Sequence, residues 1–263
     1  MRTRAFWHGR CTIARGEEST ESLTLLVHRF ALCLARTVPL RERCFVLGVQ
    51  VSIRVERLFE DLIRVGRESC HLYFWHRSSD PYVIFIAEYF LRRSNRTTVS
   101  RYLPGFLEAF PTAASIIAAD PDDVVNHARW AGFTSRTRAL PDVVAKLTAM
   151  THIDYESLCE LPYIGPYAAQ AYLLYVKREP AFPVDGNVER VVSRYLEVGR
   201  EELRTAINAI TSSAIASSAV EGIRHAHIGA LTVGWESCRP QPRCQSCPLR
   251  VECAFASLVA ASS

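Results

Sequence analysis

At 263 residues the chain has room for one or two domains of roughly 150 residues each, with a core that needs no staples. Its 49% hydrophobic and 22% charged content, with a mean hydropathy of +0.03, excludes a wholly disordered chain and a collagen-like repeat. The net charge of +4 does not by itself demand an anionic partner. Of the 31 basic residues only Lys146 and Lys177 are lysines, which leaves few candidates for an amine nucleophile.

Residues 1 to about 54 are Arg-studded and weakly amphipathic, with a helical fragment predicted around Glu21 to Arg36 and no chemical motif. This stretch reads as an N-terminal extension of unknown role, and a start near Val51 is one reading of it. The apolar run from Ser22 to Ala35 is broken by His28 and Arg29 and is too short to span a bilayer. No secretory signal opens the chain, so a cytoplasmic, nucleoid-associated protein is expected, with no membrane partner.

From about Arg54 apolar residues recur at three- and four-residue spacing without strand-length alternation, which predicts an all-α fold. Pro81 to Arg93 reads as an apolar helix with one acid, Glu88. A lone Glu on such a helix either turns to solvent or is buried with purpose. Asp120-Pro121-Asp122-Asp123 is a helix start that Gly132 can end. Pro141 predicts a break. Asp154 is a capping candidate whose reciprocal Glu is absent, Ser157 standing in its place.

Leu161-Pro162-Tyr163-Ile164-Gly165-Pro166-Tyr167-Ala168-Ala169 predicts a helix that ends at a Pro, turns through Gly165 and restarts with Pro166 in its first turn. Such a turn points backbone N–H groups around residues 163 to 167 outward at a helix start, where anions bind. Twenty residues on, Asp185 stands beside the start of a helical stripe of Val184, Val188, Val191, Val192 and Tyr195. Asp is an ordinary cap there. It is also the kind of fixed anion that stabilises an oxocarbenium-like sugar as a glycosidic bond breaks.

Cys11, Cys33, Cys44, Cys70 and Cys159 are scattered and read as buried small apolar residues. The other four crowd together as Cys238-x5-Cys244-x2-Cys247-x5-Cys253. Without a secretory context this spacing reads as a metal site before disulfides. Four thiolates suit either a [4Fe–4S] cluster or zinc.

Leu161-Pro-x-Ile-Gly-x-x-x-Ala169, then Val184-Asp185-Gly-Asn187-Val-x-Arg190-Val, then the cysteine cluster, together resemble the helix-hairpin-helix DNA glycosylases of the endonuclease III superfamily. The likeness runs from about Phe59 to Cys253. It takes in Phe74-Trp75-His76-Arg77, Asp80-Pro81-Tyr82, Ala87-Glu88-x-x-Leu91-Arg92-Arg93 and Gly132-Phe133-x-x-Arg136-x-Arg138-x-Leu140. The resemblance implies two helical lobes. A six-helix lobe at 81–179 would hold the hairpin, and 55–80 with 180–263 would form the lobe with a [4Fe–4S] cluster. It further implies a monomer acting on double-stranded DNA that contains a mismatch, with the target base flipped into a pocket.

Residue by residue, the resemblance places the hairpin (Tyr163, Ile164, Gly165, Tyr167) on a backbone phosphate, and Arg136, Arg138, Arg239 and Arg243 against DNA. Asp185 would face the flipped sugar, and Glu88 would protonate the departing base or hold water. Tyr167 stands where strand-cleaving members carry a lysine, so no Schiff base and no strand cleavage are expected. A Tyr there occurs in G·T mismatch thymine glycosylases and in some adenine glycosylases.

Arg92-Arg93-Ser94-Asn95-Arg96 resembles the thymine/uracil mismatch branch. Asp185-Gly186-Asn187 resembles the adenine branch, whose C-terminal 8-oxoguanine-reading domain is not expected here. Thymine or uracil opposite guanine is therefore the favoured substrate, and adenine opposite guanine or 8-oxoguanine the alternative. A DNA-binding module without catalysis is the further alternative. The first cysteine gap is one residue shorter than the family's, which keeps zinc as the alternative to the cluster.

Overall fold

The computed structural model describes residues 40–92, 94–216 and 220–261. The helix predicted at Glu21 to Arg36, and Arg93, lie outside them. By contacts the chain divides into Met1–Gln50 and Val51–Ser263, and the second unit carries every candidate site residue. The described residues contain helices and turns and no strand, as the periodicity predicts. None of these helices is long and apolar enough to cross a membrane.

Helix α1 (Leu40–Ser69) leads through two 3-10 turns, Cys70–Leu72 and Phe74–Arg77, into α2 (Pro81–Leu91). Asp80 starts α2 by accepting from Tyr82 N, with Pro81 in the first turn. Helices α3 (Arg96–Ala109), α4 (Ala113–Ile117), α5 (Pro121–His127), α6 (Thr134–Arg138) and α7 (Leu140–Ala149) follow. The break predicted at Pro141 falls at Ala139, because Pro141 is accommodated in the first turn of α7. Helix α5 ends at His127, and Gly132, at φ +65°, instead closes the 3-10 turn Arg129–Ala131 after it.

Helix α8 (Tyr155–Cys159) and helix α9 (Pro166–Tyr172) form the predicted hairpin. The capping box of α8 is complete, a correction to the sequence reading. Ser157 accepts from Asp154 N at 3.0 Å while Asp154 accepts from Ser157 N at 2.8 Å, so a hydroxyl does the work assigned to Glu. Helix α9 continues as a wider π turn, Leu173–Lys177. Then come α10 (Gly186–Leu196), α11 (Arg200–Ala216), α12 (Val220–Glu236) and α13 (Ala254–Ala261).

Two close approaches position the site. Where α1 crosses α12, a Cβ on Gly66 would lie 1.8 Å from His225 O, and one on Gly229 would lie 2.1 Å from Leu62 O. Only glycine lets the two main chains meet there. Further along α12, a Cβ on Gly234 would lie 2.6 Å from Asn187 Cβ, so α12 seats directly against the first turn of α10.

Candidate functional site

The start of α10 is built around Asp185. Its Oδ1 accepts from Asn187 N and Val188 N, both at 2.9 Å, and its Oδ2 accepts from Asn187 Nδ2 at 2.8 Å. Arg190, one turn further on, ties this cap to its surroundings. It donates to Asn187 Oδ1 at 2.8 Å, Gly186 O at 2.9 Å and Gly234 O at 3.0 Å, and also to Cys238 O. The carboxylate is thus fixed by the helix, by Asn187, and through Arg190 by α12 and the cysteine loop.

Glu88, on α2, is 3% exposed. Its Oε1 lies 2.6 Å from Nε2 of His76, itself fully buried. The His76 ring lies parallel to Tyr175 at 3.8 Å and to Tyr73 at 5.5 Å. Tyr175 OH is 2.6 Å from His227 Nδ1. Burial lowers the pKa of His76 against the opposing pull of Glu88, and burial with nearby His76 holds His227 well below the usual histidine range. Glu88 also lines a narrow cleft of about 10 Å³ with Phe85, Tyr89, Ile164, Ala168 and Tyr172.

Tyr167, on the first turn of α9, joins the two acids. Burial pushes its phenol well above the ordinary value, and the charges of Glu88 and then Asp185 push it further. Both carboxyl groups therefore stand within electrostatic reach of one hydroxyl, which keeps its proton. The ring also lies 6.0 Å from that of His227. Lys146 and Lys177 are both exposed.

In the hairpin, Tyr163 is 41% exposed and sits at φ +64°, a left-handed conformation that costs a non-Gly residue about 1–2 kcal/mol. Arg92 holds it there by donating to Tyr163 O at 2.7 Å. Ile164 corrects the expectation of an outward amide: its N–H bonds Leu161 O at 3.1 Å and its side chain is buried. Gly165 is different. Its φ of −115° suits any residue, and an added Cβ would meet only the Arg92 guanidinium, no nearer than 3.8 Å. Neither conformation nor packing demands glycine at that point.

The profile of the HhH-GPD superfamily base excision DNA repair protein matches residues 87–217, which contain this hairpin and both acids. The chain belongs to that superfamily. It is similar to the adenine DNA glycosylase of Schizosaccharomyces pombe, 30% identical over 182 residues that cover 65% of this chain and 39% of the relative. It is also similar to the thymine-DNA glycosylase of Aeropyrum pernix, 26% identical over 69% of this chain and 85% of the relative. The chain thus spans about two-fifths of the adenine glycosylases of S. pombe and human that it matches. The fold matches the solved structure of a thermostable thymine-DNA glycosylase with a TM-score of 0.67 at 18% identity, covering 78% of this chain and 97% of that one.

Within this superfamily member the arginines predicted to meet DNA differ in setting. Arg136 lies inside, 7% exposed, with its guanidinium 4.1 Å over the Tyr89 ring. Its place is in the wall beside the cleft. Arg138 is exposed and paired with Asp122. Arg239 and Arg243 are exposed on the cysteine loop, and Arg239 Nε donates to Trp235 O at 2.7 Å.

Cys238, Cys244, Cys247 and Cys253 are partly buried free thiols. Burial pushes Cys247 up to about 11, and the neighbouring Cys238, Cys253 and Cys244 add to the rise. Cys253 is raised for the same reasons. Arg194 donates to Cys238 Sγ at 3.6 Å. The four thiols thus raise one another's pKa. Among the described residues, however, no three His, Cys, Asp or Glu donors are placed to hold a single metal ion. Of the scattered cysteines, Cys70 and Cys159 are only partly buried.

Sequence reasoning assigned no role to His76, Tyr175, His227 or Arg190. Arg190 and His76 stood inside quoted motifs, which was a usable signal. Tyr175 and His227 carry none, since each acquires its partner only through tertiary packing.

Proposed function

We propose that this chain is a monofunctional DNA glycosylase that flips a mismatched base from a duplex and hydrolyses its N-glycosidic bond. The observation that carries the reading is the Asp185 carboxylate fixed by three hydrogen bonds at a helix start, with a second acid, Glu88, buried against His76. Tyr167, on the first turn of the hairpin helix, feels the charge of both acids and offers a phenol in place of an amine.

Asp185, fixed by three hydrogen bonds, stabilises positive charge at C1′ as the base departs. Glu88, inside the cleft, protonates the leaving base and then takes a proton from the attacking water. Tyr167 stays protonated and cannot form a Schiff base, so an abasic site is the product. Gly165 and Gly186 leave bare surface on either side: a Cβ on Gly186 would meet nothing within 4 Å. A phosphate backbone approaching helix starts needs that room.

Thymine or uracil opposite guanine is the favoured target, supported by the likeness to the thymine-DNA glycosylase of A. pernix over 85% of its length. Adenine opposite guanine or 8-oxoguanine is the second reading, supported by the 30% identity to the S. pombe adenine DNA glycosylase. Cys238, Cys244, Cys247 and Cys253 would hold a [4Fe–4S] cluster. Zinc, which four thiolates suit as well, is the alternative. Such a group supplies a brace for the loop that presents Arg239 and Arg243 to phosphates.

Duplexes with single G·T, G·U, A·G and A·8-oxoguanine pairs, incubated with the protein and then with alkali, test the reading. Alkali-dependent breaks at one pair are expected. Breaks on none of the four would leave only a DNA-binding protein, and a borohydride-trapped protein–DNA adduct would contradict the role of Tyr167.

A further inference from the structure

The His76–Glu88 pair leaves two buried polar atoms without a protein partner, His76 Nδ1 and Glu88 Oε2. The pair itself closes through Nε2 and Oε1. Two tautomers could make this bond. If Nδ1 carried the ring proton, a buried N–H would stand unsatisfied, the rarer and costlier kind of orphan. If Nε2 carries it, Nδ1 is a bare acceptor and the N–H is used on Glu88.

A doubly protonated ring would bury a charged, unpaired N–H. Everything packed on His76 weighs against that except Glu88 itself. Tyr73 and Tyr175 cover its two faces. From α12, Arg224 donates to its carbonyl and His227 stands 6.4 Å away. One positive and three neutral neighbours favour a neutral ring.

We infer that His76, as the neutral Nε2–H imidazole, is a positioning residue that clamps Glu88 Oε1 and leaves Oε2 as the single oxygen that exchanges a proton in base excision. This rests on the excision reading above. The Oε2–H proton passes to a ring nitrogen of the base as the C1′–N bond breaks and its electron pair leaves with the base. The water that adds at C1′ returns one proton to Oε2. The Nε2 proton stays on His76 throughout, its bond to Oε1 tightening while Glu88 is charged. His76 touches no reacting atom and acts only through Glu88.

Three measurements decide this. Under single turnover on the best duplex, His76→Gln keeps an amide N–H for Oε1 and should excise within about fivefold of the wild type, while His76→Leu should be about 10²-fold slower. DNA affinity should be equal for all three, and the pH profile of His76→Gln should run parallel to the wild type's. A loss in His76→Gln as large as in His76→Leu, or a limb that moves with pH, would mean that the ring itself carries protons and would overturn the inference. Wild-type rates in His76→Leu would overturn it too.

Nitrogen-15 shifts of the His76 imidazole in the wild-type protein read the tautomer without any substrate or variant. One protonated Nε2 and one bare Nδ1 are expected from about pH 5 to 8. A ring that gains a second proton in that range sinks the inference even if excision is confirmed. A neutral Nε2–H ring in a protein that excises nothing sinks the excision reading alone.

Discussion

Asp185 and Glu88 carry the same carboxyl group into opposite surroundings. Asp185 is partly exposed at a helix start, held by two backbone amides and the Asn187 amide, with Arg190 locking Asn187 from behind. Glu88 is buried, held at one oxygen by one imidazole, with the other oxygen unpartnered. Donors surround the first, which suits a charge that must not move. The second is left half-free, which suits a group that gives up a proton and takes it back. In the proposed mechanism the division of labour lies in the hydrogen bonds, since the chemical groups are identical.

The sharpest way to break this comparison is at Asp185. Asp185→Asn keeps the cap, because Asn caps helices as well as Asp does, but removes the charge. Single-turnover excision should fall about 10³-fold with DNA affinity and melting temperature nearly unchanged; turnover near wild type would remove Asp185 from the chemistry. At the other acid, Glu88→Gln preserves volume and a partner for His76 but cannot transfer the proton. A drop of about 10²-fold is expected, smaller than at Asp185 and largest for the base that leaves worst. If the two losses come out reversed, the roles are exchanged.

Arg190→Ala sharpens the contrast from outside. It deprives Asn187 and the cysteine loop of their common donor, so excision should slow about tenfold through a looser Asp185. Chemical denaturation should show a loss of about 1–3 kcal/mol. The smallest effect is expected at the hairpin. Tyr163→Gly relieves a left-handed residue and should raise the melting temperature by roughly 2–4 °C, while weaker binding to duplex DNA would show that the exposed ring touches it.

How far the sequence was legible follows the range of each interaction. Asp185 was readable because a cap and its amides lie within three residues, and the four cysteines because their spacing is itself the signal. The α8 capping box was underestimated because Ser157 was weighed as a missing Glu, although its hydroxyl reaches the same N–H. The role of His76 was opaque although it stood in a quoted motif: its partner is twelve residues away on another helix, and its nearest ring contact, Tyr175, lies about a hundred residues downstream. Arg136 was placed against DNA by the resemblance, yet its guanidinium lies over Tyr89, 47 residues earlier. The all-α fold needed only periodicity, whereas the interior wall of the site needed the packed chain.

Gly229 and Gly234 lie on the same helix, about 7.5 Å apart along its axis, one touching the main chain of α1 and the other pressed on Asn187. A stiff rod supported at both points transmits displacement from one to the other. Widening the far crossing by a single methyl group would tilt the rod at the Asn187 end, so a residue remote from the chemistry, with no side chain at all, would shift the charged oxygen pair on Asp185.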